Sequence, residues 1–459
     1  MSNVRDFGAK GDGICDDTEA IQETLAKGDG TLQFPKGDYL ITHTIQVELS
    51  DSGRLSIEGA GGTAKIRMDG AGPVFHIIGT HARSADPKSF EPSVWTHERM
   101  PTVLNLEIEG QHPKADGFLL EGTMQATFEG VLLRKLNDAI RIHNRARNVL
   151  ISHCHIHDNL GAGIFLDHVD LHQIIVTGSH ISYCKRGGIK IIGSQIRNLQ
   201  ITGNDIEYNF DKEADRSADI WIDTSDGSSS VREGTISGNT IQALPSPGGV
   251  NILMIGHSPQ VNNKVGMFTI SGNLIGTQEN NIHLIAARGV AVSGNVVYNG
   301  FNQNLLVEDA QNIVAGHNSF DHNPDYGPSR RSGIQFIDST DCILSGSTLH
   351  EFQSGQDEDE GDRQGLLEIA RCQRITVNGC QVLDGYPSAI YVSDSNNISI
   401  TGCTLLERRK KKETFLTVCW KGEGSGNLLS NNRIGNGTAG ALSIDEAAGV
   451  QISDNRMDE

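Results

Sequence analysis

The stretch Ile201-Thr-Gly-Asn204 decides the fold, because close copies of it recur along the chain. In each copy an apolar β-branched residue is followed by a small polar residue, then usually Gly, then Asn or Cys. The later copies are Ile236-Ser-Gly-Asn239, Ile270-Ser-Gly-Asn273, Val292-Ser-Gly-Asn295, Val377-Asn-Gly-Cys380, Ile400-Thr-Gly-Cys403 and Ile452-Ser-Asp-Asn455. Their spacing of about 22 to 35 residues is typical of one supersecondary unit stacked many times, so the sequence predicts a solenoid.

Each repeat carries short alternating apolar runs instead of an amphipathic helix. One repeat contains Arg147-Asn-Val-Leu-Ile-Ser152 and then Gly161-Ala-Gly-Ile-Phe-Leu-Asp167. Alternation with a period of two indicates strands and excludes leucine-rich and helical repeats. Gly and Asn tolerate positive φ at turns, and stacked Asn side chains can hydrogen-bond from coil to coil. The predicted class is therefore all-β, with inward Ile, Leu and Val forming the core.

The first forty residues carry a more specific pattern. They contain Val4-Arg-Asp-Phe-Gly-Ala-Lys-Gly-Asp-Gly13 and Gly30-Thr-Leu-Gln-Phe-Pro-Lys-Gly-Asp-Tyr39. Between them, Asp16 or Asp17 is expected to cap a short helix whose apolar side covers the open end of the solenoid. This pattern resembles the opening of the pectate-lyase-like superfamily, which includes polygalacturonases, related lyases and some phage tailspikes. The resemblance implies a right-handed parallel β-helix with a short N-terminal capping helix, and a glycan-related role.

The expected organisation is a single β-helix domain over residues 1–459. Residues 1–45 form the cap and first coil, residues 80–101 form an inserted loop able to arch over a cleft, and residues 102–459 form about a dozen coils. The runs 356–362 and 408–412 are expected to be solvated loops. The insertion 321–326, with Arg330 and Arg331, is expected to be a cleft wall, a subunit contact or a plain surface loop.

Composition excludes several classes of protein. The net charge of −19 argues against a nucleic-acid partner, which needs a basic surface, and fits a neutral ligand unless basic residues cluster locally. Eight cysteines in this length predict buried thiols instead of a disulfide scaffold. The sequence contains no apolar stretch of about 20 residues, so no membrane span is expected. The N-terminus lacks a signal-peptide core, which favours a cytoplasmic location and leaves open a secreted protein whose leader was removed.

The register of the strand after each Asn turn follows from its two best apolar residues, which must point inward, as Ile140 and Ile142 do. The residues between and beside them then point outward and stack into columns. The first column is Arg141, Phe165, Lys190, Trp221, Leu253, His283, Leu306, Gln335, Glu368 and Tyr391. The second column is His143, Asp167, Ile192, Asp223, Ile255, Ile285 and Glu308. Asp219 is expected on the same side as Trp221.

These columns predict a glycan-binding face with a catalytic centre. The expected catalytic acids and bases are Asp167, Asp219 and Asp223, and the expected substrate-binding residues are Arg141, His143, Lys190, Trp221, His283 and Glu308. An exposed Trp among carboxylates is typical of sugar stacking. The alternatives are that Trp221 packs under a loop, and that Asp219 and Asp223 form turns or are solvated charges.

Glycosidic hydrolysis by two carboxylates is the first expectation, with Asp167 and Asp223 two coils apart in one column. Elimination on a uronate is the second, with Arg141, His143 and Lys190 supplying charge and a base, and with Ca²⁺ as the one cofactor considered. Residues 273–318 also look similar to inulin fructotransferases, which implies a homotrimer. A noncatalytic glycan-binding or structural β-helix is the alternative from another class. His153, His155 and His157 predict a polar ladder in preference to a metal site.

Overall fold

The computed structural model describes residues 1–83, 86–258, 264–323, 325, 333–351 and 363–458. The run 356–362 and the residues Arg330 and Arg331 lie outside this part of the chain. The chain forms two compact units, the first of Met1–Asp211 with Ser217–Thr235 and the second of Lys212–Arg216 with Ile236–Glu459. Each unit is built from parallel coils of short strands, and the fold is a right-handed parallel β-helix, as predicted. The expectation of one domain over 1–459 stays a prediction.

Each coil has three strands, one in each of three parallel sheets. In the first unit the first sheet contains Ile45–Glu48, Gly72–Ile78, Ala115–Met124, Ile140–Ser152, Ala162–Thr177, Gly187–Ile192 and Ser217–Asp223. The second sheet contains Ser2–Asn3, Thr31–Phe34, Ser56–Gly59, Thr102–Leu104, Thr127–Glu129, Gln195–Thr202 and Ser230–Ser237, with the carboxyl-terminal parts of the two longest first-sheet strands. The third contains Asp12–Asp16, Gly37–Ile41, Ala64–Met68, Glu107–Gly110, Leu132–Arg134, His155–His157, His180–Ser182 and Asp205–Glu207.

The second unit repeats the pattern. Its first sheet contains Gly249–Ile255, Asn280–Ile285, Gln303–Glu308, Gly333–Ile337, Leu367–Ala370, Ser388–Ser393, Leu416–Lys421 and Gly440–Ile444. The second contains Val265–Ser271, Arg288–Ser293, Gln311–Gly316, Thr340–Ser345, Gln373–Asn378, Ser399–Thr401, Asn427–Ser430 and Val450–Ser453. The third contains Thr240–Gln242, Leu274–Gly276, Val296–Tyr298, Ser319–Asp321, Thr348–His350, Gln381–Leu383, Thr404–Leu406, Arg433–Ile434 and Arg456–Met457.

A short third-sheet strand, of three residues in most coils, therefore stands between an Asn turn and the next first-sheet strand. The expectation that the candidate strand directly follows the Asn turn is wrong on this point. The third-sheet strand has a single inward residue in most coils, as Ile206 does in Asp205–Glu207. A strand with one inward residue shows no alternation of apolar and polar residues, so the sequence pattern did not separate the third-sheet strand from the turn.

Few helices interrupt the coils. The helix α1, Thr18–Lys27, packs against Thr31–Phe34 and Ile45–Glu48 at the N-terminus and buries Ile21. Its N-cap residue is Asp17, whose carboxylate accepts from the N–H groups of Lys10 and Gly11 instead of the helix. The N–H of Thr18 donates to Oδ1 of Asp16 at 3.0 Å. The remaining helical segments are short: Val4–Phe7, Leu49–Ser52, Pro87–Ser89, Val94–Glu98 and Glu446–Ala448. The capping helix is thus confirmed. Within the described residues no helix has the length and apolar character needed to span a membrane.

The Asn turns stack as the sequence predicts. In the second unit, the Oδ1 of Asn273 accepts from both the N–H and the Nδ2 of Asn239 at 3.0 Å, and Asn295 and Asn318 continue the pattern. These side chains are buried. The cysteines are all free thiols, as predicted, and all are buried except Cys15. Burial raises the pKa of the Cys154 thiol to about 11, so this group is an inert part of the core.

Candidate functional site

The predicted columns exist on the first sheet of the first unit. Strand pairing places Arg141 beside Phe165, Phe165 beside Lys190, and Lys190 beside Trp221. The second column pairs His143 with Asp167 and continues through Ile192 to Asp223. The intervening isoleucines and Leu166 are fully buried. We call the residues Arg141, His143, Phe165, Asp167, Lys190, Trp221 and Asp223 the charged face.

Asp167 is the most strongly held carboxylate of the charged face. Its Oδ2 accepts from Nε of Arg141 at 2.9 Å and also from Nη2, and its Oδ1 accepts from Nδ1 of His168 at 2.7 Å. The side chain is only 8% exposed. Burial alone would raise its pKa, but the hydrogen bonds from His168 and Arg141 outweigh burial and lower it. Asp167 is therefore ionised at neutral pH.

His143 lies on the neighbouring coil and contacts the same residue. Its Nδ1 lies 2.7 Å from the carbonyl oxygen of Asp167 and 3.6 Å from Oδ2. Because a carbonyl oxygen can only accept, Nδ1 carries the proton in this contact. The side chain is 40% exposed. The Nδ1 of His143 is thus engaged by the backbone of Asp167, and part of the ring is open to solvent.

Lys190 lies between two aromatic rings in the first column. Its Nζ is 4.5 Å from the ring centroid of Trp221 and 5.7 Å from that of Phe165. Burial lowers the pKa of Lys190, against the opposing charges of Asp138, Asp223 and Asp167. Burial thus outweighs the carboxylates, and a buried lysine with a lowered pKa is the kind that can serve as a base. The face of the Trp221 ring was expected to be free for a sugar, but Lys190 covers part of it.

Asp223 and Asp219 differ in how they are held. The Oδ1 of Asp223 accepts from the N–H and the Oγ of Ser225 at 3.0 and 2.6 Å, which forms a turn at the end of the strand. Asp219 is 1% exposed, and its Oδ1 accepts from the N–H and the Nδ2 of Asn209 at 3.1 and 3.0 Å. The expectation that Asp219 lies on the outward side with Trp221 is wrong, because the strand begins inside the coil corner, where side chains point into the turn.

Asp138 belongs to this site although the sequence reading did not select it. Its Oδ1 accepts from the N–H of Ala162 at 2.8 Å, and its side chain is buried. Burial, and after it the charge of Asp116, raises the pKa of Asp138 in spite of Arg141 and Arg186 nearby. The signal in the sequence was a carboxylate two residues before Ile140, at an inward position where an apolar residue is expected.

The remaining two predicted residues pair with each other in the second unit. Nε2 of His283 lies 2.5 Å from Oε2 of Glu308, and their strands are adjacent. This hydrogen bond lowers the pKa of Glu308. The binding roles of His283 and Glu308 stay predictions. The catalytic roles of Asp167, Asp219 and Asp223 also stay predictions, as does the expected distance between the carboxyl groups of Asp167 and Asp223.

The histidine run forms part of a polar ladder. The rings of His155 and His180 on adjacent coils lie 6.1 Å apart, and Nδ1 of His157 lies 2.8 Å from Oδ2 of Asp158. In the residues that the structure describes, no three His, Cys, Asp or Glu side chains are grouped to hold a metal ion. The expectation that Ca²⁺ is needed only by a lyase stays a prediction.

Two family models match the chain. Residues 1–72 match the model described as rhamnogalacturonase A/epimerase, pectate lyase-like, and residues 94–265 and 328–459 match the right handed beta helix region. Mannuronan C5-epimerase AlgE1 of Azotobacter vinelandii is 29% identical over 222 residues, which is 45% of this chain and 15% of that protein. Alginate lyase 7 of the same organism is 50% identical over 44 residues, which is 9% of this chain and 5% of that protein. The chain thus spans a small part of these relatives.

Solved structures show the same fold at low sequence identity. Bacteriophage phi29 gene product 12 superposes with a TM-score of 0.55 and 12% identity, covering 98% of this chain and 58% of that chain. Tailspike protein 3 of bacteriophage CBA120 superposes with a TM-score of 0.50 and 13% identity, covering 99% of this chain and 61% of that chain. At these identities the likeness concerns the fold alone.

Proposed function

The chain belongs to the right-handed β-helix family, and from this premise we propose that it binds a uronate-containing glycan on the charged face and removes the C5 proton of one residue. The observation that carries the proposal is the half-buried Lys190, whose pKa burial lowers. It lies in the same column as Arg141, two coils away, with Phe165 between them. Relatives named for uronate chemistry, a mannuronan C5-epimerase and an alginate lyase, support the substrate class.

The acidity of the chain as a whole does not oppose this substrate. Arg141 places a permanent positive charge on this face, and Asp167 pairs with part of its guanidinium. The side chain of Arg141 is 37% exposed, so part of the guanidinium faces solvent, where it can meet a substrate carboxylate. Screening is weak at such a partly desolvated site, so local charge outweighs the distant surface charge.

The C5 proton of a uronate is acidic only when its carboxylate is neutralised. Arg141 supplies that charge, and Lys190, in the neutral form that its burial favours, accepts the proton from C5. The electron pair left at C5 delocalises into the carboxylate that Arg141 holds. In elimination this pair forms the C4–C5 double bond, the C4–O bond breaks, and the leaving oxygen takes a proton from solvent. In epimerisation a proton returns to C5 from the opposite side and no bond to the glycan is lost.

The test is a panel of neutral and uronate glycans incubated in D₂O. Absorbance from unsaturated uronates indicates elimination, and deuterium at C5 without absorbance indicates epimerisation. The variant Lys190→Arg is similar in size but stays protonated and cannot accept a proton at neutral pH, so both signals are expected to fall by about 10²-fold or more. Lys185→Arg, on an exposed residue of the same coil, is the matched control and keeps full activity. Equal loss in both variants would contradict the role of Lys190.

Hydrolysis is the second candidate function. It is favoured by the opposite pKa shifts of two carboxyl groups, raised for Asp138 and lowered for Asp167, which is the arrangement of a general acid and an ionised partner. New reducing ends without absorbance or C5 exchange, abolished by Asp138→Asn, would establish it. Binding without any reaction on the whole panel would favour the noncatalytic glycan-binding alternative.

A further inference from the structure

A polar cavity of about 410 Å³ lies next to the charged face in the first unit. It is lined among others by His81, Glu121, Asn144, Arg145 and Asp170. Asn144 directly follows His143 in the sequence, and Glu121 pairs with His143 in the sheet. The cavity is therefore a continuation of the second column, and a chain molecule bound on the charged face can reach it.

Arg145 is the cation of this cavity and is only partly satisfied. The residue is 8% exposed, and its Nη1 donates to Oδ2 of Asp170. Its Nε and Nη2 are buried, and neither has a hydrogen-bond partner among the described residues. These two nitrogens form the side edge of the guanidinium, the edge that binds both oxygens of one carboxylate in parallel.

His81 provides another unpaired nitrogen in the same cavity. The residue is 2% exposed, and its Nε2 also lacks a partner in the described part of the chain. Burial, followed by the charges of Arg145 and Arg147, lowers the pKa of His81 to about 4, so the ring is neutral at neutral pH. A neutral imidazole can donate one hydrogen bond to an oxygen of a bound ligand.

Unpaired nitrogens of this kind are uncommon. Native proteins pair roughly 90% or more of their buried polar groups, so three unpaired nitrogens on residues that line one cavity need an explanation, and a bound ligand is one. Glu121 does not fill the role of that ligand, because its Oε2 accepts from Nε2 of His76 at 2.8 Å. Asp170 occupies only the Nη1 side of Arg145. Arg145, which lines the cavity, thus keeps one edge of its guanidinium without a partner among the described residues.

We propose that this cavity is a subsite for the carboxylate of a second uronate residue, bound by Nε and Nη2 of Arg145 with Nε2 of His81. The assignment to a uronate rests on the proposed function, because a uronate polymer carries one carboxylate on every sugar residue. Binding there would hold the glycan in register while a neighbouring residue meets Arg141 and Lys190.

The first experiment measures binding of oligomannuronate and of neutral oligomannose by calorimetry to the whole protein. Arg145→Met is expected to weaken oligomannuronate binding about ten- to hundredfold, because a bidentate charged contact is lost, and to leave oligomannose unchanged. Arg134→Met is the matched control, since Arg134 is paired with Glu107 and Glu109 on the third sheet of the same unit. His81→Leu is expected to weaken binding about tenfold and guards against a folding defect in Arg145→Met.

The outcomes are distinct. Wild-type affinity for oligomannuronate in Arg145→Met and His81→Leu would overturn the subsite. Protection of the wild type against heat by free glucuronate, lost in Arg145→Met while oligomannuronate binds both equally, would make the cavity a site for small acids and overturn the glycan assignment. Binding that depends on Arg145, in a wild-type protein that neither exchanges C5 hydrogen nor forms unsaturated uronates, would refute the proposed reaction and support the subsite.

Discussion

The asparagine ladder of the second unit and the charged face of the first unit are both stacks of polar side chains on successive coils. In the ladder, Asn239, Asn273, Asn295 and Asn318 repeat one hydrogen-bond pattern at 3.0 Å, and all are buried. On the charged face no residue type repeats from Arg141 through Phe165 and Lys190 to Trp221, and the side chains are partly exposed.

The difference separates scaffold from chemistry. A repeated residue satisfies every coil in the same way, so its hydrogen bonds stabilise the stack and leave nothing for a ligand. A column of unlike residues gains no such regularity. It instead places unlike groups together: burial lowers the pKa of Lys190, and hydrogen bonds from His168 and Arg141 lower that of Asp167 against its burial. In a solenoid, therefore, a break in the repeat on an exposed strand marks a candidate site.

The largest expected effect is on the charged face. Replacing Arg141 with Gln is expected to reduce turnover of a uronate glycan about 10²- to 10³-fold, because the charge that stabilises the C5 anion is lost. The same change removes a hydrogen-bond donor from Asp167, so the pKa of that carboxyl rises toward its usual value. Steady-state rates and carboxyl NMR titration measure the two effects. Arg134→Gln, on the third sheet, is the control. An equal loss of rate in both variants would show that the charged face has no special role in turnover.

The ladder is expected to show the reverse pattern. Asn295→Ala removes four hydrogen bonds, two accepted by Oδ1 from Asn273 and two donated by Nδ2 to Ile270 and Asn318. At about 1 kcal/mol each, the free energy of unfolding is expected to fall by about 4 kcal/mol, with turnover per folded molecule unchanged. Urea titration measures the change. Asn378→Ala, an exposed Asn of the same unit, is expected to cost less than about 1 kcal/mol, and a similar cost in both variants would refute the ladder's role.

The sequence predicted the fold and the outward columns because apolar alternation sets the register of a strand unambiguously. Lys190 and Trp221 were placed side by side from the isoleucines on either side of them. The same reasoning failed at strand beginnings. Asp219 and Asp138 lie where the chain turns a coil corner, and there the backbone no longer alternates between two faces.

The cavity of Arg145 escaped prediction for a related reason. Strand Ile140–Ser152 changes register between His143 and Asn144 relative to its neighbour, so positions beyond His143 cannot be assigned to a face by counting. His81 comes from the inserted loop 80–101, which is outside the repeat. Part of that loop lines the cavity, and Phe90 in it stacks on Arg147 at 4.6 Å. Contacts between an insertion and a coil carry no periodic signal.

A third prediction concerns His350, whose contacts with two carboxylates are expected to stabilise the fold of the second unit. His350 donates from Nδ1 to Asp321 at 3.0 Å, and its Nε2 lies 3.4 Å from Asp384. Hydrogen bonds to these carboxylates raise its pKa from 6.5 to about 9. Since the folded pKa exceeds the unfolded pKa, the stabilisation is complete below pH 6.5 and is lost as pH rises through about 9.

The expected loss over that interval is about 3 kcal/mol, measured as the difference in unfolding free energy between the wild type and His350→Asn at each pH. The difference should shrink as the pH rises. Asp321→Asn removes the stronger partner and should remove most of the pH dependence. A difference that stays constant between pH 6.5 and 9 would show that His350 contributes through packing and not through charge.

The smallest expected effect on the free energy of unfolding comes from the exposed ion pair of Arg371 and Asp338, although its two hydrogen bonds are well aligned. Arg371 donates from Nε and Nη2 to the two carboxylate oxygens of Asp338 at 2.8 and 2.9 Å, a bidentate contact between adjacent coils of the second unit. Both side chains are more than half exposed, at 57% and 51%. Because water solvates both charges in the unfolded and folded states, Arg371→Gln should change the unfolding free energy by less than about 1 kcal/mol, and less in high salt. Urea titrations at low and high salt measure this change. A loss comparable with that of Asn295→Ala would mean that alignment, and not burial, decides which stacked polar groups hold the coils together.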